Sequence, residues 1–511
     1  MRKLFIAGAL LFSLTSQAQK AKKAPKAADP KPFAATITPD DLKKHLYIVA
    51  GAEMEGRETA TDGQKKAAAY IENHFKSLGL APGNGSSYQQ LYPVFQDSMV
   101  RAGLEVNGKS FEYNKDFSIN FASAYTSTLF GGDVVFAGYG ISDSTRDDYA
   151  GVNAKGKIVL VFAGTPPAQT GTTVRGRNPF AIQEAAQKNG AIAVLQVANG
   201  SPRRPGGNKG NMYVNGFRKT IYPNTFLISE EVAAAIMGAD FNAAKEALKT
   251  GTTPAKVYSA NVMLDFAKVT AQLNSSNVIG FMEGTDLKDE YVVISAHYDH
   301  LGKRDNVIYF GADDDGSGTT GLLDIAEAFV KAKAAGKGPR RSIIFITVSG
   351  EEKGLWGSAY YGDHPTYPLD KTTVDLNIDM IGRIDPKRKG DSTNYVYVVG
   401  DDKLSSDLKP ISESVNNKYT KLELDYKYND PKDTERIYYR SDHFNFARKG
   451  VPIIFYFNGT HADYHRPTDT PDKIDYVQMA KRAQLVFYTA WEMANRNDML
   501  KRDIPLDAQF R

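Results

Sequence analysis

The sequence predicts an α/β protein: a mostly parallel sheet flanked by helices, with a second, β-rich module inserted into it. Three observations carry this. After Tyr258, short continuous apolar runs alternate with helical segments, as in a sheet covered on both faces. Acidic and imidazole residues gather where those runs end. Between about residues 98 and 257 the texture changes to short β-like runs and long loops rich in Gly, Pro and Arg.

Taken in order, the chain starts with a basic pair, Arg2 and Lys3, and an apolar run from Leu4 to Leu14 that is too short to span a bilayer. Ser16-Gln17-Ala18 follows, so residues 1–18 read as an export signal cut after Ala18, and the protein as secreted or periplasmic. Residues 19–33, rich in Lys, Ala and Pro, read as a disordered linker. Thr38-Pro39 starts a helix, with Thr38 as N-cap and Pro39 in the first turn. Gly63 to Leu78 has apolar residues at helical spacing and is stopped by Gly79. The insert, 98–257, carries β-like runs at Gly132 to Tyr139, Lys157 to Ala163 and Ala191 to Val197. Segments 34–97 and 258–500 form the main domain, with 501–511 as a tail. Its strands are expected at Tyr291 to Ala296, Ser342 to Val348, Val374 to Met380, Tyr395 to Val399 and Val451 to Phe457, and a helix at Ser317 to Lys333.

Composition narrows the function classes. The chain has 511 residues, long enough for two domains. A formal charge of +4 gives no electrostatic reason to expect nucleic acid or an anionic membrane as partner. No other stretch is apolar enough to span a membrane, and the oligomeric state is not legible. The absence of cysteine excludes disulfides, thiolate metal sites and a Cys nucleophile.

The chemistry sits at the strand ends. His297-Tyr298-Asp299-His300 follows the first strand, and Asp313-Asp314-Asp315-Gly316-Ser317-Gly318 precedes a helix. Glu351-Glu352 follows the second strand, Asp379 closes the third, and His465 lies just past the last. In open α/β sheets the active crevice lies at the carboxyl ends of strands, so the fold alone places five clusters together. So many carboxylates repel one another unless cations sit among them. Imidazole and carboxylate without thiolate suit catalytic zinc. Each piece alone is weak: His-x-Asp can be a surface pair, and Asp315 or Ser317 can simply cap a helix. Gly316-Ser317-Gly318-Thr319-Thr320-Gly321 matches a dinucleotide fingerprint, but three aspartates before it would repel a pyrophosphate, and the acidic residue expected about twenty positions on is missing.

These motifs, with Ser349-Gly350-Glu351-Glu352, Asn377-Ile378-Asp379-Met380 and Tyr464-His465, resemble the secreted co-catalytic dizinc aminopeptidases. Relatives of that family include glutamate carboxypeptidase, glutaminyl cyclase and the inactive transferrin receptor. The insert resembles a protease-associated domain in its Val134 to Gly140 and Lys155 to Val161 segments. The resemblance implies a zinc exopeptidase fold, two Zn2+ per chain and peptide substrates. It implies Asp314 bridging both metals, His297 and Asp379 on one, and Glu352 and His465 on the other. Asp299 would orient His297 through its second ring nitrogen, Glu351 would be the general base, and Tyr464 would donate to the oxyanion. It also implies a cis peptide between Asp314 and Asp315.

Alternatives stay open at this point. A carboxypeptidase or dipeptidase of the same clan needs cations for a free carboxylate, and Arg436, Arg440 and Arg466 stand near the expected site. A glutaminyl cyclase needs one zinc only, and a binding-only receptor would have lost ligands. His443 and His461 are expected either to line the pocket or to pack loops. His45, His74 and His364 lie outside every motif and read as structural.

Overall fold

The computed structural model describes residues 28–506 apart from 121–123, 145, 165, 167–179, 204–206, 216–219 and 252–253. Residues 1–18, read as an export signal, residues 19–27 of the expected linker and residues 507–511 of the expected tail lie outside the described residues. Linker residues 31–33 are not disordered. They belong to a helical turn, Lys31–Ala34, because Phe33 stacks on Trp491 (5.9 Å between centroids) and Ala34 is buried.

The chain divides into two compact units, Met1–Gln90 with Ser276–Arg511, and Leu91–Ser275. The first is the mostly parallel α/β unit. Its helices are α1 (Pro39–Val49), α2 (Asp62–Ser77), α3 (Gly318–Ala334), α4 (Trp356–Asp363), α5 (Leu408–Lys418), α6 (His443–Arg448) and α7 (Tyr476–Asn495). Its strands are the end of β1 (Lys256–Met282), β2 (Leu287–His297), β3 (Arg341–Val348), β4 (Thr372–Ile378), β5 (Tyr395–Val399), β6 (Glu423–Asp425) and β7 (Ile453–Phe457). Their order is β6-β5-β7-β4-β2-β3-β1. The pairs β2/β3, β2/β4, β4/β7 and β5/β6 are parallel, while β5/β7 and β1/β3 are antiparallel.

Both faces of this sheet are covered, which is why its strands carry largely apolar runs. Alternate residues point to opposite cores. Val292, Ile294, Ile343 and Phe345 pack with Leu46 of α1, Ile71 of α2, Phe329 of α3 and Phe487 of α7. Val293, Ile344, Ile346 and Val348 pack with Tyr361 of α4 and Phe446 of α6. Helix α1 starts where Thr38 Oγ1 accepts from the Asp41 N–H (3.2 Å), with Pro39 in the first turn.

Register fixes where the strands end. His297 stands opposite Val348, Ser295 opposite Asn377, and Asn377 opposite Phe455, so the loops after β2, β3, β4 and β7 leave one edge at nearly one level.

The second unit is also built on strands. Ser127–Phe136, Ile158–Phe162, Ala193–Val197 and Asn224–Ile228 are parallel neighbours, with Phe117–Ile119 antiparallel to the last. Residues 256–266 pair antiparallel with 127–136. The unit is wider than the 98–257 stretch in which the sequence texture changes. Among the described residues, no helix is long and apolar enough to cross a membrane.

Candidate functional site

Four parallel strands deliver the site. His297 is the last residue of β2, and its Nε2 lies 3.3 Å from Asp314 Oδ1, 3.6 Å from Asp379 Oδ1 and 3.9 Å from Glu351 Oε2. His465, past β7, places Nε2 3.1 Å from Asp314 Oδ2 and 3.1 Å from Glu352 Oε2. Asp314 therefore turns one carboxylate oxygen to each histidine. His297, Asp314, Glu352, Asp379 and His465 converge, with Glu351 and Tyr464 beside them; Tyr464 and Glu351 line one cleft with Asp314 and Asp379.

The three consecutive aspartates have three different surroundings. Asp314 faces the histidines. Asp315 Oδ1 accepts from the Gly318 N–H (2.8 Å) at the start of α3 and from the Met380 N–H (3.0 Å). Asp313 accepts from the Gly382 N–H (2.7 Å) and from Asn458 (3.1 Å). The capping and the site-facing interpretations of this run thus apply to different residues. A Cβ on Gly318 would lie 2.3 Å from Asp315 Oδ1 and 2.4 Å from the Ile378 carbonyl oxygen, so this glycine serves close packing rather than a phosphate loop. The Asp314–Asp315 peptide is cis.

Residues 277–490 match the model of peptidase family M28. This part of the chain is similar to that family. A probable leucine aminopeptidase of Arthroderma otae is 31% identical over 216 residues, 41% of this chain and 56% of that protein. A probable zinc metalloprotease of Pyricularia oryzae is 26% identical over 272 residues, 45% of this chain and 52% of that protein. The chain thus spans little more than half the length of the curated relatives it matches. An aminopeptidase structure from Aneurinibacillus sp. strain AM-1 superposes with a TM-score of 0.54 at 20% identity, covering 94% of this chain and 99% of that one, which is a likeness of fold.

The site has the donors that zinc needs. In each of two groups, His297 with Asp314 and Asp379, and His300 with Asp314 and Glu352, the ligand atoms lie within 4.8 Å of one another; Asp314 is common to both. His297 Nε2, both ring nitrogens of His300, Asp314 Oδ2 and Glu352 Oε1 are buried without a well-aligned hydrogen bond, and four of these five atoms meet a partner in close imidazole–carboxylate pairs. Buried polar atoms are ordinarily partnered, and this imidazole–carboxylate set without thiolate fits zinc.

The charges around it are strongly coupled. Burial, opposed by His297 and reinforced by Glu352 and Asp379, holds the Glu351 carboxyl well above its usual range. Burial disfavours charge on His465, but Asp314 and Glu352 outweigh it and push the ring up to about 10. The Asp314 carboxyl is resisted by burial yet held well below its usual range by His297 and His465.

A supporting layer was not legible in the sequence. His300 Nδ1 lies 2.7 Å from Glu352 Oε1 and 3.8 Å from Asp314 Oδ2. Ser441 Oγ donates to Asp379 Oδ2 (2.6 Å), and Asp469 Oδ2 accepts from the Asp313 and Asp314 N–H groups (3.0 and 3.2 Å). Arg57 is fully buried and donates to the carbonyls of Tyr298 (2.7 Å), Val49 (2.8 Å), Phe310 (2.8 Å) and Gly311 (2.9 Å), which ties the loop after β2 to the approach to Asp314. His297 Nδ1 lies 3.1 Å from the carbonyl oxygen of Asp299 and 3.7 Å from its carboxylate, so the main chain of Asp299 makes the nearer contact.

The other candidates divide between loop packing and the cleft wall. His461 Nε2 meets Asp313 Oδ2 (3.1 Å), and His443 Nε2 meets the Tyr438 carbonyl (2.8 Å) while its ring stacks on Phe455; both buttress loops. Arg440 lines the cleft and donates to Tyr464 Oη (3.2 Å). Arg436 lies over the Tyr439 ring, and Arg466 is exposed.

Proposed function

We propose that the chain is a two-zinc aminopeptidase that hydrolyses the first peptide bond of its substrates. The observation that carries this is the division of Asp314 between two histidine-carboxylate groups, with an unused glutamate beside them. His297, Asp314 and Asp379 would hold one zinc, and Asp314, Glu352 and His465 the other. Bound there, zinc supplies Lewis-acid polarisation of the scissile carbonyl and acidifies the attacking water.

The remaining chemistry belongs to the chain's own residues. Glu351, whose carboxyl burial has raised, takes the proton of the attacking water and passes it to the leaving amine. The Tyr464 hydroxyl, steadied by Arg440, donates to the carbonyl oxygen as that oxygen gains charge. Asp299 positions the loop that carries Glu351. Ile437, Phe455 and Phe457 line the same cleft and suit an apolar first side chain. The printed names of relatives, a leucine aminopeptidase and a zinc metalloprotease, point the same way. The unit 91–275 is proposed as a protease-associated module.

Arg440 favours a second reading, a carboxypeptidase, because an exposed guanidinium at the cleft can clamp a terminal carboxylate. A panel of zinc-loaded reactions with free-amine, N-acetylated and C-amidated peptides separates the two. Acetylation is expected to abolish cleavage and amidation to spare it. The reverse pattern would overturn the aminopeptidase reading.

A further inference from the structure

A second group of metal-ligating side chains lies away from the cleft, among helices α1, α2 and α3. His45 of α1, His74 of α2 and Glu327 of α3 bring one ligand atom each within 4.8 Å of the others. The two imidazole rings meet edge to face with centroids 4.7 Å apart. One turn before Glu327 on the same face of α3 stands Asp324, as i and i+3 spacing requires. Asp324 is 2% exposed, neither of its oxygens accepts a hydrogen bond, and Oδ1 points at His45 Nε2 from 3.6 Å. His74 Nε2 is likewise buried without a hydrogen bond. Around this group the helices pack through Leu42, Leu46, Ile71 and Leu323.

We infer that His45, His74, Asp324 and Glu327 form a structural zinc site that clamps α1 and α2 to α3. The donor set is two imidazoles and two carboxylates, a combination that suits a closed four-coordinate zinc centre. His45 is already oriented for it, since its Nδ1 is engaged by the Tyr70 hydroxyl (2.7 Å), which turns Nε2 inward. One oxygen of Glu327 pairs with Lys331 (2.7 Å), leaving the other for the metal. A dication would also meet the buried Asp324 carboxylate, with which no lysine or arginine among the described residues forms an ion pair. Helix α3 starts three residues after Asp315, so the clamp would steady the element that leads out of the Asp314 loop without touching substrate.

The test is zinc content by mass spectrometry of the full chain after dialysis against excess zinc, with turnover of an aminoacyl substrate measured beside it. His45→Gln with His74→Gln is expected to carry one zinc equivalent fewer than the parent, to keep turnover, and to lose part of the rise in Tm that added zinc gives the parent. Asp324→Asn, which preserves side-chain shape, is expected to lower zinc content in the same direction and stands in if the double variant fails to fold. Unchanged zinc content in a folded variant would overturn the site and make the cluster a polar packing contact. The cleft reading fails separately: Asp314→Asn should empty the cleft yet keep the equivalent that depends on His45 and His74, and Co2+ substitution in that background should still give a four-coordinate visible spectrum.

Discussion

The backbone N–H of Glu351 donates to Oδ1 of Asp299 at 3.2 Å, and Oδ2 of the same carboxylate accepts from Thr59 Oγ1 at 2.7 Å. One carboxylate thereby fixes the loop after β3 from the loop after β2. Asp299→Ala should reduce kcat by about 10–100-fold while zinc content stays level, as for other groups that orient a ligand shell. Asp299→Asn should recover most of that loss, because an amide oxygen can still accept from Glu351. Steady-state kinetics with metal analysis checks both; equal losses would show that charge near His297, not the held loop, is what Asp299 supplies.

The neighbouring glutamates should separate cleanly. Glu351→Gln keeps shape and hydrogen bonding but cannot accept a proton, so it should hold zinc and lose at least about 10²-fold in kcat. Glu352→Gln removes a ligand and should lose zinc first, with activity partly restored by excess metal. Zinc loss in the first variant and full occupancy in the second would reverse the two roles.

His300 approaches Glu352 more closely than any other imidazole does. His300→Asn should weaken one of the two zinc ions proposed for the cleft by about 10–100-fold, whether His300 ligates it or only orients Glu352. A chelator titration followed by zinc release reads this directly, and a release curve identical to the parent's would remove His300 from the site.

Asp375 in β4 offers a pH test remote from the ligands. It is fully buried, its Oδ1 accepts from Ser295 (2.7 Å), and its Oδ2 has no hydrogen bond. Burial holds its carboxyl well above the usual 3.8, against the pull of the Ser295 hydrogen bond. The folded chain therefore binds more protons than the unfolded one above that value, and this group's contribution to stability falls as pH rises toward the raised pKa. Asp375→Asn should raise Tm, and by more at about pH 8 than at about pH 5. A gain that is larger at the lower pH would contradict the assignment.

The parallel sheet was legible because the buried stretches of β2, β3 and β4 are covered on both faces and so are mostly apolar, with only a few polar residues such as Ser295, Asp375 and Asn377 among them. The residues proposed for the reaction stand at those exits, where an acid or imidazole contrasts with the apolar run before it. What supports them was not legible. Arg57 and Ser441 are common residues in unremarkable contexts, and only the approach of distant segments gives them buried partners. His300 stood in plain view three residues after His297, but nothing local distinguishes a ligating histidine from a surface one. His45 and His74 looked structural because their partners on α3 lie some 250 residues further along the chain.

Because His297 stands level with Val348 and Asn377 with Phe455, the cleft is encoded in strand lengths. Adding one residue within β3 would carry Glu351 and Glu352 about 3.3 Å along the strand and turn the residues that follow to the opposite face. Adding two would restore the face but overshoot by about twice that distance. Insertions and deletions during divergence, or in engineering, should therefore be accommodated at the opposite edge, where connections such as Gly336 to Arg340 enter the strands, and be purged from the strands themselves.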